Sequence, residues 1–272
     1  MVSPIVSIIA PSNRPFLWKS FCKNIFEMNI IPCEIIFVGP EAPVCKLPKN
    51  FIHIKTNVKP AQCVEIAVRN SRGEFLLETC DDCRFFLNSI DNLYKEFIRN
   101  NNENIIITPN FWKKRKFLSK NRMLLIPGEI QSPFINIMGE FIKKSTWVKL
   151  GGIDNRFIAG LFQRDLCLRA YGIGGKIICC DNAIVTELLY SSKDSKNRLW
   201  SYTRKFDERL FWNLWTRKKK DNEKCPSDLL YCYFDKKNEI VLSKKRLQAV
   251  VPYKNKNLLE ESEGNTYKKR WD

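Results

Sequence analysis

Short apolar runs alternate with segments of helical spacing through the first half of the chain. The runs at 6–10, 34–38 and 74–78 are rich in Ile, Val, Leu and Phe and are followed by Pro, Gly or polar residues, as buried strands commonly are. Residues 16–28 and 61–70 place apolar side chains three and four positions apart, which predicts helices with one buried face. This alternation predicts an α/β fold in which helices cover both faces of a mostly parallel sheet.

The same alternation continues along the chain to about residue 188. We predict further strands at 51–54, 105–108, 176–180 and 183–186, and further helices at 91–99, 145–150 and 162–171. Polar loops at 12–14, 39–41 and 79–83 each follow a predicted strand. Because ligands of such sheets bind beyond the carboxyl ends of the strands, we expect these three loops to meet in one crevice.

An adjacent pair of acids, Asp81 and Asp82, follows the apolar run at 74–78. Neighbouring carboxylates repel each other, and a bound cation relieves that repulsion. Mg²⁺ and Mn²⁺ prefer carboxylate oxygens and leave coordination positions for phosphate oxygens. Acid pairs are also common in surface turns, but the position of this pair after a buried strand favours a metal site.

Four segments, in order, resemble family-2-type GT-A glycosyltransferases. They are residues 6–15, 34–38, 67–82 and 150–169. The resemblance covers about residues 3–188, and it implies a GT-A, Rossmann-like nucleotide-binding domain with a nucleotide-diphosphate sugar donor and a divalent ion, Mn²⁺ or Mg²⁺. Most such enzymes invert the anomeric configuration and transfer the sugar to a hydroxyl, here of a glycan, a lipid-linked or a protein acceptor.

The resemblance also assigns residues to the nucleotide sugar and to the metal. The metal ligands are Asp81 and Asp82, although Cys83 stands at the third position of the acidic motif. Where relatives end the second strand with an Asp, this chain offers Glu41. The positions matched or assigned to the nucleotide are Pro11, Asn13, Arg14, Glu41, Lys59, Arg69 and Asp81.

The usual position of the general base holds Gln163 in this chain. An amide cannot accept the proton of an acceptor hydroxyl, so we expect Asp165, the nearest carboxylate, to be the base. In the alternative interpretation Asp165 pairs with Arg169 four residues later on the same helix. Asp154 is a further candidate base, although its Gly-Gly-Ile-Asp setting is more typical of a turn that leaves a helix.

The character of the chain changes after residue 190. We divide it into a catalytic domain at 1–190 and a basic, aromatic extension at 191–272, with a polar linker at 191–197 and a helix at 198–220. The apolar face of such a helix usually packs against its own domain. Contact with an anionic membrane surface is the second interpretation, and contact with nucleic acid is the third.

Charge and cysteine content limit the remaining classes. The 272 residues carry a net charge of +17, which attracts polyanions, but no nucleic-acid-binding motif is visible. A nucleic-acid-binding module and a non-catalytic nucleotide-sugar-binding relative therefore stay as alternatives. Eleven cysteines without a secretory signal indicate a reduced, cytoplasmic protein, and Cys80 and Cys83 lack the second pair of a zinc site. The single histidine, His53, is expected to face solvent, which argues against His-based catalysis.

Overall fold

A computed structural model describes residues 3–113, 139–188, 198–215, 232–234, 240–242, 248–254 and 258–259. The strands are β1 (Val6–Pro11), β2 (Cys33–Gly39), β3 (Phe51–Lys55), β4 (Phe75–Glu78), β5 (Cys83–Phe85), β6 (Ile106–Lys113), β7 (Phe141–Lys143), β8 (Ile177–Glu187), β9 (Cys232–Phe234) and β10 (Ile240–Leu242). The helices are α1 (Pro15–Met28), α2 (Pro60–Asn70), α3 (Ser89–Arg99), α4 (Lys144–Lys149), α5 (Phe162–Tyr171) and α6 (Arg198–Trp215).

Eight strands form one sheet in the order β3-β2-β1-β4-β7-β6-β8-β5. Strands β1 to β4 are mutually parallel, β7 is antiparallel to both β4 and β6, β8 is parallel to β6, and β5 is antiparallel to β8. The predicted α/β class with a mostly parallel sheet is confirmed. The predicted strands at 176–180 and 183–186 are one strand, β8, whose pairing with β6 shifts register between Pro109 and Asn110.

Two apolar layers cover the sheet, because side chains alternate between the faces of each strand. On one face Trp18 and Phe21 of α1 and Phe97 of α3 pack against the strands. On the other face α2, α4, α5 and α6 form the second layer. Strands β1, β2 and β4 are almost entirely buried as a result. Burial on both faces explains why their sequences are continuous apolar runs and not alternating ones.

His53 is an exception to the predicted pattern. It is half-buried on β3, and its ring centroid lies 4.9 Å from that of Trp18. Burial lowers the pKa of His53. The expectation that it faces solvent is wrong, because α1 extends over the outer strand of the sheet and covers this position.

Helix α6 of the extension packs against the sheet domain. Phe211 and Trp215 are buried in the same layer as α2 and α5. The carboxylate of Asp207 accepts hydrogen bonds of 2.8 Å from the backbone N–H groups of Ile158, Ala159 and Gly160. Core packing is therefore confirmed for the part of the predicted helix that the structure describes, while 216–220 lie outside it. Across the described residues, we find no helix with the length and apolar character needed to cross a membrane.

Candidate functional site

The loops after β1, β2 and β4 meet at the carboxyl edge of the sheet. Ser12, after β1, donates a hydrogen bond of 2.5 Å from Oγ to Oδ2 of Asp81, after β4. The Ser12 backbone N–H donates to the carbonyl of Val38 on β2. A side chain at Gly39 would place its Cβ 1.9 Å from the Ser12 carbonyl oxygen, so this close approach requires glycine. The predicted convergence of the three loops is confirmed.

Arg14 joins the two acids of this site. Its guanidinium forms an ion pair with Asp81 through Nη2 and one of 2.8 Å with Asp82 through Nη1. Burial raises the pKa of Asp81, and Arg14 opposes that rise. Burial lowers the pKa of Arg14, but the two acidic partners raise it by more than burial lowers it. The net effect is a raised pKa. With all three groups ionised, the cluster carries one net negative charge.

The aromatic residue Trp18 fixes the loop that carries Arg14. Its indole Nε1 donates a hydrogen bond of 2.6 Å to Oγ of Ser12, and its side chain is fully buried in the α1 layer. The hydroxyl of Ser12 thus accepts from Trp18 and donates to Asp81. These two hydrogen bonds hold the loop after β1 against Asp81, because the buried Trp18 side chain has little freedom to move.

The acid pair leaves one carboxylate oxygen available for a metal ion. Both oxygens of Asp81 have partners, whereas Oδ1 of Asp82 is buried and lacks a hydrogen-bond partner among the described residues. No cluster of three or more His, Cys, Asp or Glu side chains with metal-binding geometry occurs in that part of the chain. Mg²⁺-type sites often use one or two carboxylates and take their other ligands from phosphates and water. Asp82 fits such a site, and Arg14 orients its carboxylate.

The candidate nucleotide residues near the site differ in exposure. Pro11 ends β1 and Asn13 follows it, and both are half-buried beside Ser12. Glu41 is exposed in the loop after β2. These three residues lie on the carboxyl-edge loops, where the sequence placed them, and their contacts with a nucleotide stay predictions.

The two basic residues of α2 have other partners in the structure. Lys59, just before α2, is fully buried, donates to the carbonyl of Asn155, and lies 5.5 Å from the ring centre of Tyr253. Arg69, in the last turn of α2, pairs with Glu65 and donates to the carbonyl of Tyr253. Because α2 runs back from the carboxyl edge, its last turn is about 15 Å away from that edge.

This placement argues against nucleotide contact by Arg69 and gives it a structural role instead. Together with Lys59 it contacts Tyr253 of the tail, and Gln62 donates a hydrogen bond to the carbonyl of Leu258. Sequence reasoning missed this use of the two cations, because the segment that they bind is nearly 200 residues away along the chain.

Asp165 lies inside the protein and not in the crevice. It has no exposed surface, Arg169 donates to its Oδ2 at 3.0 Å, and the Trp215 indole donates to its Oδ1 at 2.9 Å. The alternative interpretation, a pair with Arg169 on the same helix, is confirmed. The geometry argues against Asp165 as general base, because the residue has no exposed surface and both of its carboxylate oxygens accept hydrogen bonds. Asp154 is likewise buried, and it pairs with Arg156.

A second pair of carboxyl groups, which sequence reasoning missed, lies next to Gln163. Glu78 ends β4, Glu140 precedes β7, and the Glu78 backbone N–H donates to the Glu140 carbonyl at 3.2 Å. Gln163 Nε2 donates to Oε1 of Glu78 at 3.4 Å. Both glutamates are buried, and neither carboxylate oxygen of Glu140 has a hydrogen-bond partner among the described residues. The available signal was an acid at the end of an otherwise apolar strand, Phe-Leu-Leu-Glu.

The proximity of Glu78 and Glu140 changes their protonation. Burial and the neighbouring Glu140 raise the pKa of Glu78 well above its usual range, and burial raises the pKa of Glu140 to about 7. Two buried carboxyls side by side cannot both ionise readily. At neutral pH the pair therefore retains a proton.

This pair should make the protein less stable as pH rises. Between pH 4.5 and 7 the folded protein holds a proton on Glu140 that the unfolded chain releases. The stability that this proton contributes is fully present below pH 4.5 and is lost as pH rises through about 7, on the order of 3 kcal/mol. Urea unfolding of the wild type and of Glu140→Gln across this range measures the effect.

The Glu140→Gln variant should lack that part of the slope. Glu74→Gln is the matched control, because it removes an exposed acid just before β4. This variant should keep the slope. Equal slopes for the wild type and Glu140→Gln would contradict the raised pKa.

Comparison with solved structures gives the fold. Neither a protein-family model nor a curated protein matches the sequence. Mannosyltransferase PcManGT from Pyrobaculum calidifontis, solved with GDP-Man and Mn²⁺, superposes with a TM-score of 0.56 at 16% identity over 84% of this chain and 68% of its own. The fold is that of GT-A glycosyltransferases.

TarS from S. aureus has the same GT-A architecture. The full protein superposes with a TM-score of 0.53 at 10% identity, over 76% of this chain and 40% of TarS. A fragment of residues 1–349 in complex with UDP-GlcNAc gives a TM-score of 0.51 at 11% identity, over 76% of this chain and 66% of the fragment. At these identities the likeness shows the shared fold, and membership of family 2 stays a prediction.

Proposed function

We propose that this GT-A protein is a glycosyltransferase that moves a sugar from a nucleotide-diphosphate donor to an acceptor hydroxyl. The observation that carries the proposal is the cluster of Arg14, Asp81 and Asp82 at the carboxyl edge of the sheet. The loops after β1 and β4 build it, and it combines a cation for phosphate with carboxylates for a metal ion. This is the edge at which α/β sheets bind nucleotides.

In this proposal the acid cluster serves the leaving diphosphate. Asp82 holds Mn²⁺ or Mg²⁺ through its available oxygen, and the bound ion would neutralise charge on the departing phosphates. Arg14 keeps Asp81 and Asp82 in place and adds a positive charge to the site. Asn13 and Pro11 line the nucleotide side of the loop, and Glu41 is positioned to contact the base or ribose. Preorganised charge of this kind stabilises a transition state more than it does the bound donor.

Donor binding tests the proposal most directly. The matched structures hold GDP-Man and UDP-GlcNAc, so thermal-shift and calorimetric titrations should begin with GDP, UDP and these two sugars, each with Mn²⁺ and with EDTA. A ligand that binds the native state raises its apparent stability. Saturable binding of one nucleotide sugar and metal-dependent release of its nucleotide are expected. Failure of every nucleotide to bind would refute the proposal.

The two alternative functions predict different results in the same titrations. A non-catalytic relative, suggested by Gln163 and Cys83, would bind a nucleotide sugar without releasing its nucleotide. A nucleic-acid-binding module, suggested by the +17 charge, would bind oligonucleotides in a strongly salt-dependent manner and would not bind nucleotide sugars.

Membrane contact through 198–220 stays a prediction, as does the cytoplasmic location. Phe211 and Trp215 of α6 pack inward, whereas Lys205, Phe206 and Arg209 are exposed on the same helix. We expect that joint replacement of Arg217, Lys218, Lys219 and Lys220 by Gln weakens binding to anionic vesicles about tenfold or more, because each basic residue near such a surface contributes about 1 kcal/mol. Vesicle co-sedimentation measures it, with neutral vesicles as the control. Unchanged binding would contradict the prediction.

A further inference from the structure

The buried Glu78–Glu140 pair has a location that suits proton transfer. Leu76 of β4 and Ile142 of β7 belong to the layer that contains α5, and side chains two residues apart point to the same face of a strand. Glu78 and Glu140 therefore lie on that face, beneath the first turn of α5. That turn presents Gln163, the residue at the usual base position, and Gln163 contacts Glu78.

The pair also lies close to the acid cluster. Glu78 ends β4 three residues before Asp81, so the two Cα atoms are at most about 11 Å apart. A donor whose diphosphate binds at Asp82 would therefore hold its sugar within about one sugar length of the Glu78 carboxyl group.

Three cysteine thiols surround the pair. The groups that face it are the thiols of Cys80 and Cys83 on the β4–β5 turn and of Cys167 on α5. Burial contributes to raising the pKa of Cys80 and of Cys167, so both thiols stay neutral. Among the described residues, neither glutamate has a basic partner. Buried acids without a cation destabilise a fold, and groups with strongly shifted protonation cluster at functional sites.

We propose that Glu78 is the general base of the transfer reaction and that Glu140 is the positioning residue that receives its proton. This inference rests on the proposed glycosyltransferase function. Glu78 takes the proton of the acceptor hydroxyl on one carboxyl oxygen and passes its own proton from the other oxygen to Glu140. The acceptor oxygen forms its bond to the anomeric carbon, and the bond from that carbon to the phosphate oxygen breaks with its electron pair on the diphosphate. The proton gained by the pair then returns to solvent.

Gln163 has a defined part in this arrangement. Its amide N–H donates to Glu78, which fixes the plane of the carboxyl group and leaves the proton-accepting function to the glutamates. A sequence with an amide at the usual base position can therefore remain catalytically competent, because the carboxylate has moved from the helix to the strand beneath it.

The test measures the release of nucleotide from GDP-mannose and UDP-GlcNAc, with water as the acceptor, as a function of pH. The pH profile of wild-type kcat should have a rising limb near pH 7, where Glu140 ionises. Glu78→Gln should lower kcat about 10²- to 10⁴-fold and leave donor Kd within about twofold, the change expected when uniform binding is kept. Glu140→Gln should shift the limb to lower pH by about one unit or more, because Glu78 loses its like-charged neighbour.

Two further variants make the result decisive. Glu74→Gln, an exposed acid next to β4, should leave kcat and the limb unchanged. Asp165→Asn, if folded, should retain wild-type kcat in this proposal, and a loss of about 10²-fold or more with normal donor binding would transfer the base role to Asp165 and overturn it. Near-normal kcat in Glu78→Gln would also overturn it.

Infrared spectroscopy separates this inference from the proposed function. The protonated-carboxyl band of the pair should persist at pH 7 in the wild type and be absent in a Glu78→Gln, Glu140→Gln double variant. Donor binding with no such band would leave the proposed function intact and refute the base assignment. A band without binding of any nucleotide sugar would refute the proposed function and the base assignment with it.

Discussion

Replacement of Asp82 by Asn is expected to reduce sugar transfer about 10²- to 10³-fold, the loss typical of removing one preorganised electrostatic contact to a developing charge. Asn keeps the shape of the side chain but lacks the charge that Arg14 pairs with at 2.8 Å and that a metal ion needs. Mn²⁺-dependent binding of GDP or UDP should weaken in the same variant. Nucleotide release and calorimetric titration with Mn²⁺ measure the two effects separately.

The structure offers a matched control for this experiment. Glu27 lies in the last turn of α1, which begins at the carboxyl edge and runs away from it. There it forms an exposed ion pair with Lys23. Glu27→Gln removes the same charge from the protein and should leave both measurements unchanged. An Asp82→Asn enzyme with near-normal transfer would show that the acid cluster does not serve the diphosphate.

Replacement of Arg169 by Met should destabilise the protein by about 3–5 kcal/mol, because it removes the ion-pair partner of the buried Asp165 carboxylate. Arg169 has no exposed surface, and besides Asp165 it binds the carbonyls of Leu150 and Gly152. Met fills a similar volume, so the loss would come mainly from the missing charge and hydrogen bonds. The midpoint and slope of urea unfolding give the free energy of unfolding.

An exposed pair of the same type provides the comparison. Arg99 pairs with Glu96 at 3.6 Å near the end of α3, and 73% of the Arg99 side chain is exposed. Arg99→Met should cost less than about 1 kcal/mol. If Arg169→Met cost no more than Arg99→Met, Asp165 would not depend on Arg169, and a catalytic role for that acid would regain support.

The candidate site shows how far local pattern reaches. Asp81 and Asp82 are identified by the apolar strand that precedes them, which is a local feature, and Arg14 is identified by the resemblance of its loop to the family. Asp165 was assigned by its nearness in sequence to the expected base position. Its actual partners, Arg169 and Trp215, come from one turn away and from 50 residues away. A sequence shows that an acid is present but not how many partners its oxygens have.

The extension also shows that sequence patterns predict apolar packing better than polar contacts. Its composition predicted a helix whose apolar face packs on its own domain, and Phe211 and Trp215 do so. Its polar contacts could not be predicted, because Asp207 binds three backbone N–H groups of a loop whose own sequence gives no sign of needing a partner. The resemblance assigned Arg69 to the nucleotide, and Lys59 was expected to reach the diphosphate, but both donate to backbone carbonyls. A basic side chain suits an anion and a carbonyl oxygen equally, so its sequence position does not distinguish them.

By itself the amino-acid sequence determined the α/β class, most of the strands and helices to about residue 188, and the edge at which the site lies, because apolar periodicity and strand direction are set by neighbouring residues. The short strands β5 and β7 were not predicted. Only the tertiary structure decided that Asp165 is enclosed, that β7 enters the sheet antiparallel beside β4, and that Glu78 thereby meets Glu140. Such pairings depend on which distant segments become neighbours, and burial then changes the charge of side chains whose chemistry in the sequence is ordinary.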